Sequence, residues 1–141
     1  MSAHAHAPAP ATPRRPAHRG RPARPTLAVL LGLESATLAL FSALHLSGAL
    51  RIGSGSSDGA GVAEALICLA LAAGAFALAR APAPRGRRVA LCAVAFAILG
   101  FIIGLTFTVQ GGDAIDLMYH ATMLPVLVAT AVLLARRAPR G

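Results

Sequence analysis

The chain has 141 residues, of which 56% are hydrophobic and 13% charged, with a mean hydropathy of +0.68. A soluble domain of this size carries roughly twice that share of charge, about 25%. The apolar residues lie in long blocks, which excludes disorder for most of the chain, and two cysteines in separate blocks exclude a disulfide scaffold. An integral membrane protein remains, with the lipid bilayer as its first partner. All 13 basic residues are arginine, and they flank the apolar blocks. No basic groove is interleaved with aromatics, so the net charge of +8 does not point to nucleic acid.

Residues 1–25 are rich in Ala, Pro, His and Arg. Proline every few residues removes donors and fixes φ, so this stretch reads as a disordered basic tail beside anionic headgroups. Arg14-Arg15 resembles a twin-arginine export signal, but Pro16 follows and the apolar block begins about ten residues later. The first apolar block, about 26–50, is too long for a signal-peptide core of about 7–15 residues. The run Ser47-Gly48-Ala49 leaves cleavage after Ala49 as a minor alternative.

A Gly/Ser loop follows, then a second block at about 62–80, a basic loop APAPRGRR, and a third block at about 89–109. QGGD makes a turn into the fourth block, about 114–135. Each block is long enough to cross a hydrocarbon core of about 30 Å as a helix. None alternates as a barrel strand would. The expected fold is all-α: a four-helix transmembrane bundle over 26–137, up-down-up-down, with a disordered N-terminal tail and a short basic tail at 138–141.

Orientation follows from the arginines. Five lie in the N-terminal tail, four at 80–88 and three at the C-terminus, against Arg51 alone on the other side. The positive-inside rule places both termini in the cytoplasm of a bacterial inner membrane.

Gly100 and Gly104, four apart in the third block, allow close backbone approach, either to the second helix or to a second copy in a homo-oligomer. Pro125 should bend the fourth helix and open a wet cleft near His120. Cys68 and Cys92 fall at different depths and are expected as reduced, buried thiols.

The first block carries Glu34, Ser35, Thr37, Ser42 and His45 within one sector of about 160° at about 100° per residue. Glu34 lies about 12 Å from the inner boundary, where the neutral acid is the expected form, at the depth of Thr130. His45, Glu64, Asp116 and His120 share an outer layer, with Thr108 and Tyr119 nearby. Two imidazoles and two carboxylates are a donor set for a divalent transition metal. A haem between His45 and His120 is an alternative. Against both stand helix-end roles: Asp116 as the third residue of a capping box after Asp113, Glu64 in the same place after Gly61, and His45 near a helix C-terminus.

No nucleophile elbow, phosphate loop, CxxC or HExxH occurs. The core, above all GLTFTVQGGDAIDLMYHATMLP at 104–125, resembles small uncharacterised four-helix integral membrane proteins of high-GC bacteria, a resemblance that implies no activity. The expectation is therefore a non-enzymatic structural, accessory or interaction protein without a cofactor. The alternatives are an ion- or proton-conducting oligomer using Glu34 and the outer layer, and a membrane enzyme or metal-binding protein with an outward-facing site.

Overall fold

The computed structural model describes residues 24–50 and 58–136. The proposed disordered tail, the twin-arginine pair, most of the Gly/Ser loop and the C-terminal tail lie outside the described residues.

Four helices account for almost all of the described chain: α1 (Arg24–Leu46), α2 (Asp58–Arg80), α3 (Ala83–Thr108) and α4 (Ala114–Ala135). All four are long and apolar enough to cross a membrane. Each packs on the next, and α4 returns to α1 along the sparsest seam, so the ring is closed and alternates in direction. This is the four-helix bundle the apolar blocks predict.

Three helix ends differ from the sequence expectation. Helix α1 stops at Leu46 although apolar residues run on to Leu50. Gly48 takes φ +75°, and the amides of Gly48, Ala49 and Leu50 turn back onto the carbonyls of Leu44 and His45. A glycine in the left-handed region is a common helix stop, because a Cβ there is strained. Helix α2 starts at Asp58, inside what the Gly/Ser composition marks as loop, with that acid in its first turn. Helix α3 absorbs most of the basic loop. Pro82 is its N-cap and Pro84 lies in its first turn, where the missing amide hydrogen has no helical partner to lose.

The interior is narrow and built from leucine against small residues. Leu27, Leu31, Leu38, Leu71, Leu127 and Leu134 are fully buried, beside Ala90, Ala93 and Ala97. A Cβ on Gly74 would sit 3.2 Å from Ala90 Cα, and one on Gly86 would strike the Ala77 carbonyl oxygen. Gly100 and Gly104 are likewise taken up within the chain, against Ile67 of α2 and His120 of α4. The outer faces carry Leu33, Leu69, Phe76, Ile102 and Met118, all more than half or nearly half exposed. In water a continuous coat of this kind would associate, whereas lipid is its natural solvent. The chain is a small multi-pass membrane protein.

At one end of the bundle, arginines close the helix C-termini of their neighbours. Arg24 Nη2 donates to the carbonyls of Leu78 and Ala81 at 2.8 Å each. Arg87 Nε donates to Leu134 at 2.8 Å, and its Nη2 reaches Ala135 at 3.4 Å. These carbonyls have no intrahelical donor and carry the negative end of the helix dipole. Each helical hairpin thus uses a basic residue from its first helix to finish its second. Arg24 and Arg87 thus cap helices at the same end of the bundle.

Candidate functional site

The opposite end gathers polar side chains from all four helices. Helix α1 brings His45 in its last turn, α2 brings Glu64, α3 its final residue Thr108, and α4 Asp116 and His120 one turn apart. All five are buried, His45 and Asp116 completely.

The contacts form a chain across the bundle. His45 Nδ1 lies 2.8 Å from Glu64 Oε2, and with Glu64 ionised the ring N–H donates to it. On the other side of the ring, His45 Nε2 is 3.8 Å from Asp116 Oδ1. Asp116 Oδ2 accepts from Thr108 Oγ1 at 2.7 Å. His120 Nδ1 is 3.2 Å from Asp116 Oδ1 and donates to the Asp116 carbonyl at 3.0 Å. A carbonyl oxygen only accepts, so the His120 proton is on Nδ1, and its Nε2 is an acceptor when the ring is neutral. That Nε2 points past Gly104, where a Cβ would stand 2.7 Å from it.

The four outer-layer residues therefore come together, with one change of partner. His45 meets Glu64 as their depths suggest, but it is Asp116 rather than His120 that faces His45 from α4. One helix-end role fails. Helix α2 begins at Asp58, so Glu64 sits beyond its first turn. Asp113 is the N-cap of α4 and Asp116 lies in its first turn, as expected, with its carboxylate also facing Thr108 and the histidines. His45 does remain in the last turn of α1. Thr108 was not among the candidate residues. Its place as the last residue of α3, opposite an acid across a short turn, was the available signal.

The polar seam of α1 is narrower than its sequence implies. Glu34, Ser35, Ser42 and His45 are buried, but Thr37 bonds back to Leu33 of its own helix. Ser35 and Ser42 donate to the Cys68 and Gly61 carbonyls of α2, at 2.9 and 2.7 Å. Glu34 instead crosses to α4, where Thr130 Oγ1 donates to its Oε1 at 2.6 Å. Glu34 stands about 16 Å along the helix from His45. The space between holds Leu38, Leu71, Val94 and Leu127, all fully buried, and Phe41 stacked on Tyr119 at 3.6 Å. Any ion path joining Glu34 to the outer group has to cross that apolar layer.

Two further expectations are corrected. Pro125 lies on the exposed face of α4, and the cavity at this end of the bundle opens between α2 and α3 instead. Cys68 and Cys92 are free, but Cys92 is exposed on the outer face and Cys68 half-buried, with its Sγ 3.3 Å from Ser35 Oγ. Neither is a fully buried core thiol.

One ligand atom from each of His45, Glu64 and Asp116 falls within a set no wider than 4.8 Å. Zinc-type bonds of about 2.0–2.2 Å place tetrahedral ligand atoms about 3.3–3.5 Å apart, and at most about 4.3 Å. Closing the set on one metal also requires the Glu64 carboxylate to leave the Nδ1 side of the His45 ring, since Asp116 faces Nε2. His120 stands outside this set, behind Asp116. No protein-family model matches this chain, nor does any curated protein or solved structure.

Proposed function

We propose that this chain is a metal-binding membrane protein, holding one divalent transition metal among His45, Glu64 and Asp116, with His120 and Thr108 orienting Asp116. The arginine distribution puts this end outside the cytoplasm of a bacterial inner membrane, with both termini inside. The observation that carries the reading is Asp116 Oδ1. It is buried, has no well-aligned hydrogen bond among the described residues, and lies 3.2 Å from His120 Nδ1 and 3.8 Å from His45 Nε2. The gap to His45 is too long for a hydrogen bond and within the span of two bonds to one metal.

Charge supports it. Two carboxylates withdrawn from water need compensation, and a divalent cation supplies it at one point. Imidazole with carboxylates suits zinc, iron or manganese better than calcium or copper(I). The accessory reading drew part of its strength from a helix-end role for Glu64, which lies beyond the first turn of α2. The chemistry a bound metal supplies here is Lewis acidity toward a ligand entering from the outer side.

The test is zinc retention by the purified protein in nanodiscs after desalting. One equivalent is expected for the parent. Asp116→Asn, which keeps the shape and an acceptor for Thr108, should bind at least about tenfold more weakly. His120→Ala should weaken binding less than Asp116→Asn, and Glu34→Gln not at all. Absence of zinc from the parent, or equal binding by Asp116→Asn, overturns the proposal.

A further inference from the structure

Beside the acid–histidine group lies a cavity of about 540 Å³ between α2 and α3. Its rim is made of side chains that face outward from the bundle: Leu66, Ile103 and Phe107 are each more than half exposed. The opening is therefore lateral, toward the acyl chains. Its base is polar, formed by His45, Glu64 and His120. The space exists because the facing positions are small, with Ala60 and Ala63 on α2 and Gly100 and Gly104 on α3.

We propose that this cavity binds a membrane-dissolved amphiphile with an aromatic hydroxyl head, of the hydroquinone class, whose O–H donates to His120 Nε2. The head is specified by the base. His120 Nδ1 spends its proton on the Asp116 carbonyl at 3.0 Å, which leaves Nε2 as the acceptor in the neutral ring. The ring packs on Gly104, where any side chain would strike that atom. Glu64 in the base and Asp116 behind His120 are further acceptors, so an anionic phosphate or carboxylate head meets repulsion. A neutral hydroxyl donor fits where an anion does not.

The ring is specified by the walls. The whole chain has only five phenylalanines, and three of them, Phe96, Phe101 and Phe107, line this cavity. Offset and edge-on contacts with phenylalanine favour an aromatic head over a saturated one. Phe101 is also 5.1 Å from the His120 ring, so it stands next to the acceptor. From Phe96 to Thr108 the cavity wall extends along about 18 Å of α3, room for a ring and the start of its tail. The tail leaves sideways into lipid, as the lateral rim requires. The inference goes beyond the metal reading and does not need it, because His120 Nε2 points away from the three-residue set.

The probe is a decyl-substituted benzohydroquinone, titrated into the metal-free protein in nanodiscs, with binding followed through the imidazole 15N shifts of selectively labelled histidine. Saturable binding is expected, with the His120 Nε2 resonance moving most. Ala63→Trp fills the rim from an exposed position and should abolish binding without disturbing the core. His120→Phe keeps a ring but removes the acceptor, and should weaken binding about tenfold. Glu34→Gln should bind as the parent does. No saturable binding by the parent, or unchanged binding by Ala63→Trp, overturns the proposal. So does equal binding of decanoate or decylammonium, since the hydroxyl head would then not be what is recognised. Zinc retention by separate, zinc-loaded samples of the same variants reads the metal proposal, because Ala63→Trp leaves the three-residue set intact.

Discussion

The bond from Thr130 to Glu34 carries a testable magnitude. Thr130 is fully buried, and its hydroxyl donates to Glu34 Oε1 at 2.6 Å across the seam where α1 and α4 touch least. The second carboxyl oxygen, Oε2, has no hydrogen-bond partner among the described residues. Thr130→Val keeps the side-chain volume and removes the donor, leaving both oxygens of a buried acid without a bond. Side-chain hydrogen bonds between membrane helices are worth about 0.6 kcal/mol on average and up to about 1.7 kcal/mol. A stranded buried acceptor adds a desolvation penalty of about 1–3 kcal/mol, part of which the protein relieves by relaxing. The expected cost is therefore about 1–2 kcal/mol. Glu34→Leu removes the acid that needs the bond and should be neutral or stabilising, as an acid at this depth is costly in the first place. The two changes form a cycle. In the Glu34→Leu background, Thr130→Val should cost close to nothing. Equilibrium unfolding in mixed micelles by SDS titration measures all four proteins. If Thr130→Val costs the same in both backgrounds, the bond does not hold α1 to α4.

Gly86→Ala drives a Cβ into the Ala77 carbonyl oxygen, backbone against backbone, and should destabilise by about 1–3 kcal/mol in the same unfolding assay. Arg87→Gln strips the donors from the Leu134 and Ala135 carbonyls and should cost about 1 kcal/mol, with Arg87→Lys intermediate. After Cys68 and Cys92 are replaced, single cysteines at Ser56 and Ala83 should react with an impermeant maleimide from opposite sides of the membrane. Labelling from one side by both would refute the alternating four-span topology.

What the sequence made legible was length and depth. Four apolar blocks separated by Gly, Ser, Pro and Arg allow little but four spans, and counting at about 1.5 Å per residue brings Glu34 level with Thr130. The same counting puts His45, Glu64, Asp116 and His120 in one layer, where they meet. The exact ends were less legible, because hydrophobicity does not stop a helix. Gly48 stops α1 by its backbone conformation, while Pro82 and Pro84 start α3 inside a stretch whose composition suggests a loop. Rotation about each helix axis was the other missing quantity. A turn of about 100° separates neighbouring residues, so a modest rotation of α4 decides whether Asp116 or His120 faces His45. That rotation is set by packing. Gly104 on α3 admits the His120 ring, which leaves Asp116 turned toward α1.

The same glycine ties the two ends of the functional argument together. Gly100 and Gly104 look like a surface for a second helix, and in the fold they do receive neighbours, Ile67 and the His120 ring. Because the guest at Gly104 is an imidazole rather than a methyl group, close packing here creates chemistry. It seats His120 with Nδ1 on the Asp116 carbonyl and its ring in the wall of a cavity open to lipid, and leaves Asp116 Oδ1 buried opposite His45. A larger residue at 104 would displace all three at once. Gly104→Ala should thus impair zinc retention and hydroquinone binding together, whereas Gly100→Ala, which meets only the flexible end of Ile67, should disturb neither the acid–histidine contacts nor the acceptor.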